Sequence, residues 1–126
     1  MPETYTIQQT VEEMGVTAHT LRYYEKIGLL HPIGRALNGH RKYTEEDLGW
    51  IYWLKLLRDS GMSIQTMHRY VDITRAGEQP GADTLDERCA ILEQHRDELR
   101  TRIGQLQGYL EKLEKKVAFY RGYEIA

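Results

Sequence analysis

The sequence predicts a mostly α-helical chain, a winged helix-turn-helix domain followed by one long helix that pairs as a coiled coil. Three observations lead there. Two short helical stretches flank a tight turn at Gly15, a helix-breaking segment with the dipeptide Asn38-Gly39 follows, and leucines recur every seven residues from Leu85 to Leu113.

The elements follow in order. Thr6-Ile7-Gln8-Gln9 fits a capping box, and Ile7, Val11 and Met14 continue at helical spacing to Gly15. Thr17 is placed to cap a second helix that carries Leu21 and Tyr24 on one face and stops at Gly28. From Leu29 to Tyr43, Pro32 and Gly34 break helix, and Asn38-Gly39 is the dipeptide of two-residue hairpin turns because both positions tolerate positive φ. A β-hairpin, or wing, is expected there. Thr44 caps a third helix to about Ser60, in which Leu48, Ile51, Leu54, Leu57 and the bulky Trp50, Tyr52 and Trp53 supply core and interface surface. Trp50, Tyr52 and Trp53 are read as packing residues, with an effector pocket as the alternative. Gly61 closes that helix, and Ser63 caps a fourth to about Arg75.

Ala76 to Ala82 holds two glycines and a proline, which divides the chain into a domain over 4–75, a linker over 76–83 and a helix over 84–120. Thr84-Leu85-Asp86-Glu87 reads as a second capping box. Leu85, Leu92, Leu99, Leu106 and Leu113 form one heptad ladder, and Cys89, Arg96, Ile103, Leu110 and Val117 the other. Arg96, the charged member, either fixes register or snorkels outward. At 1.5 Å per residue this helix is about 54 Å long and needs a partner helix. With no second long helix in the chain, the expected partner is its own copy.

The 126 residues hold 17 Lys+Arg, 19 Asp+Glu and a formal charge of −2, yet the charge is unevenly placed. Between Thr17 and Thr44 stand Arg22, Lys26, Arg35, Arg41 and Lys42, five basic residues against Glu25 alone, a local charge of +4. No apolar run of membrane-spanning length and no secretory signal pattern is seen, so a cytoplasmic protein with no membrane partner is expected. A single cysteine, Cys89, excludes an internal disulfide and a four-ligand zinc site of its own. With no phosphate-cradling glycine loop, no paired metal-ligand motif and no nucleophile-base pair, no enzyme, cofactor or metal is expected.

Projected at about 100° per residue, the second helix turns His19, Arg22, Tyr23 and Lys26 away from Leu21 and Tyr24. A basic, aromatic helix face suits the DNA major groove, and Arg35, His40, Arg41 and Lys42 in the wing suit the flanking backbone or minor groove. Thr17, at the start of the helix, completes the candidate contacts.

The residues Tyr5-Thr6-Ile7, Gly15-Val16-Thr17, Thr20-Leu21-Arg22-Tyr23-Tyr24-Glu25-Lys26-Ile27-Gly28-Leu29-Leu30, Arg35 and Asn38-Gly39-His40-Arg41-Lys42-Tyr43 resemble the MerR family of transcription regulators. The resemblance implies a winged helix-turn-helix and an antiparallel dimerisation helix, with Arg22, Tyr23, Tyr24, Arg35 and Arg41 touching operator DNA. For Tyr24 that role rests on the resemblance alone, since the helical projection turns it inward. It further implies a homodimer on double-stranded promoter DNA that bends and untwists an overlong spacer so that RNA polymerase engages both promoter elements, in response to a small effector or stress. The alternative is an architectural or recombination-accessory DNA-binding protein without promoter control; a coiled-coil adaptor would leave the basic face and wing without a purpose.

Metal-sensing relatives carry cysteines around the dimerisation helix that this sequence lacks, so metal sensing is not expected. The chain resembles the short branch that includes aldehyde and electrophile sensors, but Trp50-Ile51-Tyr52-Trp53-Leu54-Lys55 lacks that branch's helix cysteine. Cys89, beside Arg88, is left as sensor or packing residue. The expected dimer interface is Leu85, Cys89, Leu92, Leu99, Ile103, Leu106, Leu110, Leu113 and Val117.

Overall fold

A computed structural model describes residues 4–122. The order is β1 (Thr4–Tyr5), α1 (Ile7–Met14), α2 (Ala18–Lys26), β2 (Tyr43–Thr44), α3 (Glu45–Asp59), α4 (Ile64–Ala76) and α5 (Leu85–Arg121). The chain separates into two compact units that part after Leu85.

In the first unit the caps form where hydroxyls were available. Thr6 accepts from Gln9 N at 3.1 Å while the Gln9 side chain accepts from Thr6 N at 2.9 Å. Gly15 ends α1 at φ 67°, a left-handed conformation that a side chain would strain. Thr17 then accepts from Thr20 N at 3.0 Å and starts α2. At α3 the box is again reciprocal, with Thr44 and Asp47 each accepting from the other's backbone N–H. Glu45, Glu46 and Asp47 crowd its first turn, where the helix dipole favours negative charge.

β1 and β2 pair antiparallel, Thr4 with Thr44 and Tyr5 with Tyr43, which ties the start of the unit to the far end of the wing. The core beneath contains Leu21 and Tyr24 of α2, Leu48, Ile51, Leu54 and Leu57 of α3, and Met67 and Val71 of α4. Each such side chain contributes about 1.5–3 kcal/mol by leaving water. The α3 positions recur at spacing three, so Tyr52 and Trp53 fall on the opposite side and are about half exposed (53% and 51%), correcting their reading as core. Trp50 is half-buried, edge-on to His31 with ring centroids 6.3 Å apart.

The wing is a hairpin, but not around a two-residue turn. Ala36 N donates to His40 O at 2.8 Å and Lys42 N to Gly34 O at 2.8 Å, flanking the bridge Arg35–Arg41, while Gly39 N returns to Ala36 O at 2.9 Å. The loop is therefore the three residues Leu37, Asn38 and Gly39. Of these three, only Gly39 has positive φ (83°). The Asn-Gly signal located the turn correctly and misjudged its type: a simple turn followed by a left-handed glycine is the other common hairpin solution.

The segment after α4 also differs from expectation. Thr84 does not cap α5 with its side chain. Its hydroxyl donates to Ile73 O at 2.9 Å, satisfying a carbonyl at the end of α4, and Asp83 accepts from Leu85 N at 3.0 Å instead. Gly77 makes this fit possible: a Cβ there would lie 2.4 Å from the Thr84 hydroxyl oxygen and 3.3 Å from Thr74 O. Gly77 itself is right-handed helical (φ −68°, ψ −15°), a conformation in which alanine is intrinsically preferred. Gly77→Ala is nonetheless expected to destabilise by about 1–3 kcal/mol, because the Thr84 hydrogen bond must break. A urea midpoint unchanged or raised in Gly77→Ala would refute this.

In the second unit, α5 runs 37 residues without a break, about 55 Å. Ile91 and His95 are its buried residues. Leu85, Ile103, Leu106, Leu110, Leu113 and Val117 are exposed along the heptad ladders, with Leu92 and Leu99 half-buried. Gly104 and Gly108 lie inside the helix, off both ladders, with no atom near either missing side chain.

Candidate nucleic-acid interface

The candidate interface is built from α2, the wing and the start of α1. In α2 the side buried by Leu21 and Tyr24, at 1% and 3% exposure, forces the intervening residues outward. His19, Arg22, Tyr23 and Lys26 are all exposed, as the helical projection expects, and Thr17 stands exposed at the N-cap. Tyr24 is the exception among the candidate contacts. It lies in the core beneath the face, with its ring centroid 6.2 Å from that of Tyr23, and so supports the face rather than belonging to it.

The wing places Arg35, His40 and Lys42 at the surface and Arg41 half-buried. Arg35 Nη1 donates to Gly39 O at 2.8 Å, clamping its own turn. Arg41 Nε donates to Glu25 Oε1 at 2.8 Å, joining the wing to α2. Arg22, Arg35, His40 and Arg41, with Thr6 and Ile7 from the start of α1, line one cleft of about 310 Å³. Three arginines thus line one cleft, and guanidinium groups are suited to phosphate oxygens.

Two features of this site were missed in the sequence. Glu25 was counted only as the lone acid of a basic stretch, and Thr6 only as a cap. On the other side of α2, Arg58 of α3 joins His19, Thr20 and Tyr23 around a second cleft of about 400 Å³. No sequence signal places Arg58 there, because its neighbourhood depends on how α3 crosses α2.

Two tyrosines near the site have raised pKa values. The Glu45 carboxylate accepts the Tyr5 hydroxyl and raises its pKa. Burial raises that of Tyr43, whose surroundings include Arg41, Glu25 and Arg22.

Away from the basic cleft, Trp50, Trp53 and Tyr70 wall a groove of about 330 Å³ with Glu46 and Thr74, while Tyr52 lies outside it. Cys89 is exposed. Among the described residues no cluster of three His, Cys, Asp or Glu side chains is arranged to hold a metal, and no helix is long and apolar enough to cross a membrane.

Residues 5–72 match the family described as MerR HTH family regulatory protein. The chain belongs to the MerR family. A relative from Haemophilus influenzae, an uncharacterised HTH-type transcriptional regulator, is 38% identical over 94% of this chain and 84% of its own length. The crystal structure of HiNmlR, a MerR family regulator lacking the sensor domain and bound to promoter DNA, superposes with a TM-score of 0.84 at 38% identity, covering 94% of this chain and 86% of that one. A more distant structural neighbour is EcmrR in the EcmrR–DNA complex within EcmrR-RPo, at 27% identity and TM-score 0.60, covering 96% of this chain and 41% of that one. As a MerR-family member, the chain is a DNA-binding regulator of transcription with a helix-turn-helix, a wing and a long C-terminal helix.

Proposed function

We propose that this chain acts as a homodimer on double-stranded promoter DNA, reading sequence with α2, gripping the flanking backbone with the wing, and bending and untwisting the promoter spacer for RNA polymerase. The observation that carries the reading is the cleft where Arg22 of α2 meets Arg35 and Arg41 of the wing. HiNmlR bound to promoter DNA and EcmrR in its DNA complex support it.

The proposed contacts are Thr17, His19, Arg22, Tyr23, Lys26, Arg35, His40, Arg41 and Lys42. Tyr24 acts beneath them, as a support for Tyr23. The dimer forms through the heptad ladders of residues 84–120, which leave Leu106, Leu110 and Leu113 exposed in a single chain at 58%, 55% and 63%. Residues 4–75 form the DNA-binding domain and 76–83 the connection. The protein works in the cytoplasm, carries out no catalysis, and answers a small effector or stress.

The deciding experiment is enrichment of the purified protein on a random duplex pool at near-physiological salt, followed by sequencing. A dyad of two spaced half-sites is the expected result. A folded, dimeric protein that enriches no sequence would overturn the reading.

A further inference from the structure

Glu25 is the single carboxylate between Thr17 and Thr44, a stretch that holds five basic residues. A carboxylate there opposes a polyanion, so electrostatics alone would favour its removal. The structure gives it a specific partner. Arg35 and Arg41 face each other as the bridged pair of the wing, which holds their Cβ atoms roughly 4.5–5.5 Å apart and sets two like charges side by side. Arg35 is turned aside by its bond to Gly39 O. Arg41 is turned toward α2 by Glu25, in a pair whose side chains are only 24% and 18% exposed.

The bond engages Nε of Arg41, and among the described residues neither Nη group of Arg41 makes a hydrogen bond. The planar guanidinium is thereby fixed along one edge, leaving its Nη edge for an incoming oxyanion. Arg22, one turn before Glu25 on the same helix, lines the same cleft.

We propose that Glu25 is a positioning residue for DNA recognition: by holding Arg41 across the gap between α2 and the wing, it sets that guanidinium in register with Arg22, and it makes no DNA contact itself. The proposal rests on the reading that α2 and the wing bind DNA. It gives Glu25 an effect on specific binding opposite in sign to the effect of its charge.

The test is a double-mutant cycle in the full chain with Glu25→Gln and Arg41→Ala, each alone and together. The probes are a labelled duplex carrying the site enriched from the random pool and a scrambled duplex of equal length; helical circular dichroism confirms folding. Glu25→Gln is expected to weaken binding to the selected duplex about tenfold, while binding to the scrambled duplex tightens about twofold from the lost negative charge. With Arg41→Ala already present, Glu25→Gln is expected to weaken specific binding no further, and Glu25→Asp should recover part of the loss in the Arg41 background. Tightening of both duplexes by the same factor would make Glu25 a merely repulsive charge and overturn the proposal. Arg41→Ala without effect on the selected duplex would instead overturn the assignment of Arg41 as a DNA contact, and the positioning role with it, while enrichment of a dyad would still stand for the chain as a whole.

Discussion

Glutamate at both Leu99 and Leu106 is expected to leave the chain monomeric at its own mass of 14.8 kDa in sedimentation, where the parent sediments at twice that mass. Leu106 is 58% exposed and Leu99 half-buried in a single chain, so neither carries the core of the first unit. What they lose is burial against a second helix, about 1.5–3 kcal/mol for each of the four leucines that a dimer contains. To that is added the penalty of holding unpaired carboxylates in an apolar seam. Helical circular dichroism should persist over the first unit, while affinity for a two-half-site operator should fall on the order of 10²–10⁴-fold as the tether between the DNA-binding units is lost. An unchanged sedimentation mass would remove the heptad seam from the account of assembly.

The second large effect is expected at the basic cleft. Arg22→Ala should cost about 1–3 kcal/mol of operator binding and relax the preference at one base pair if the guanidinium reads a base. If it clamps a phosphate, binding should weaken evenly across sequences and the salt slope should fall by about one. Arg22 is exposed and makes no hydrogen bond among the described residues, so its removal should leave the urea midpoint near that of the parent. Combined with Arg41→Ala, the loss should be large enough to abolish operator binding at physiological salt. Retained binding in the double variant would move the interface elsewhere on the molecule.

Most of the helical plan was legible in the sequence because it rests on local chemistry. Thr6 with Gln9, Thr17 with Thr20 and Thr44 with Asp47 are pairs within three residues of one another, and their hydrogen bonds follow from helix geometry alone. The buried side of α2 was legible for the same reason. What was not legible depended on partners distant in sequence. Tyr52 and Trp53 have the composition of core residues, and only the packing of α3 decides that Ile51 and Leu54 turn inward instead. Thr84 has a helix-capping pattern after it, but the chain's return brings its hydroxyl to Ile73 O, eleven residues back. The Glu25–Arg41 pair spans sixteen residues, and its charge alone gave no sign of its partner. In the wing, Asn38-Gly39 fixed the location of the turn, while the cross-strand register decided which of the two hairpin geometries closed it.

The paired glycines of α5 bear on its stiffness. Gly104 and Gly108 stand one turn apart, away from both ladders and touching nothing, and each lowers helix stability by about 1 kcal/mol relative to alanine. Since helix propagation depends on every residue it crosses, the intrinsic helix preference of α5 is weakest at its centre, and the heptad ladders on either side carry the more of its rigidity.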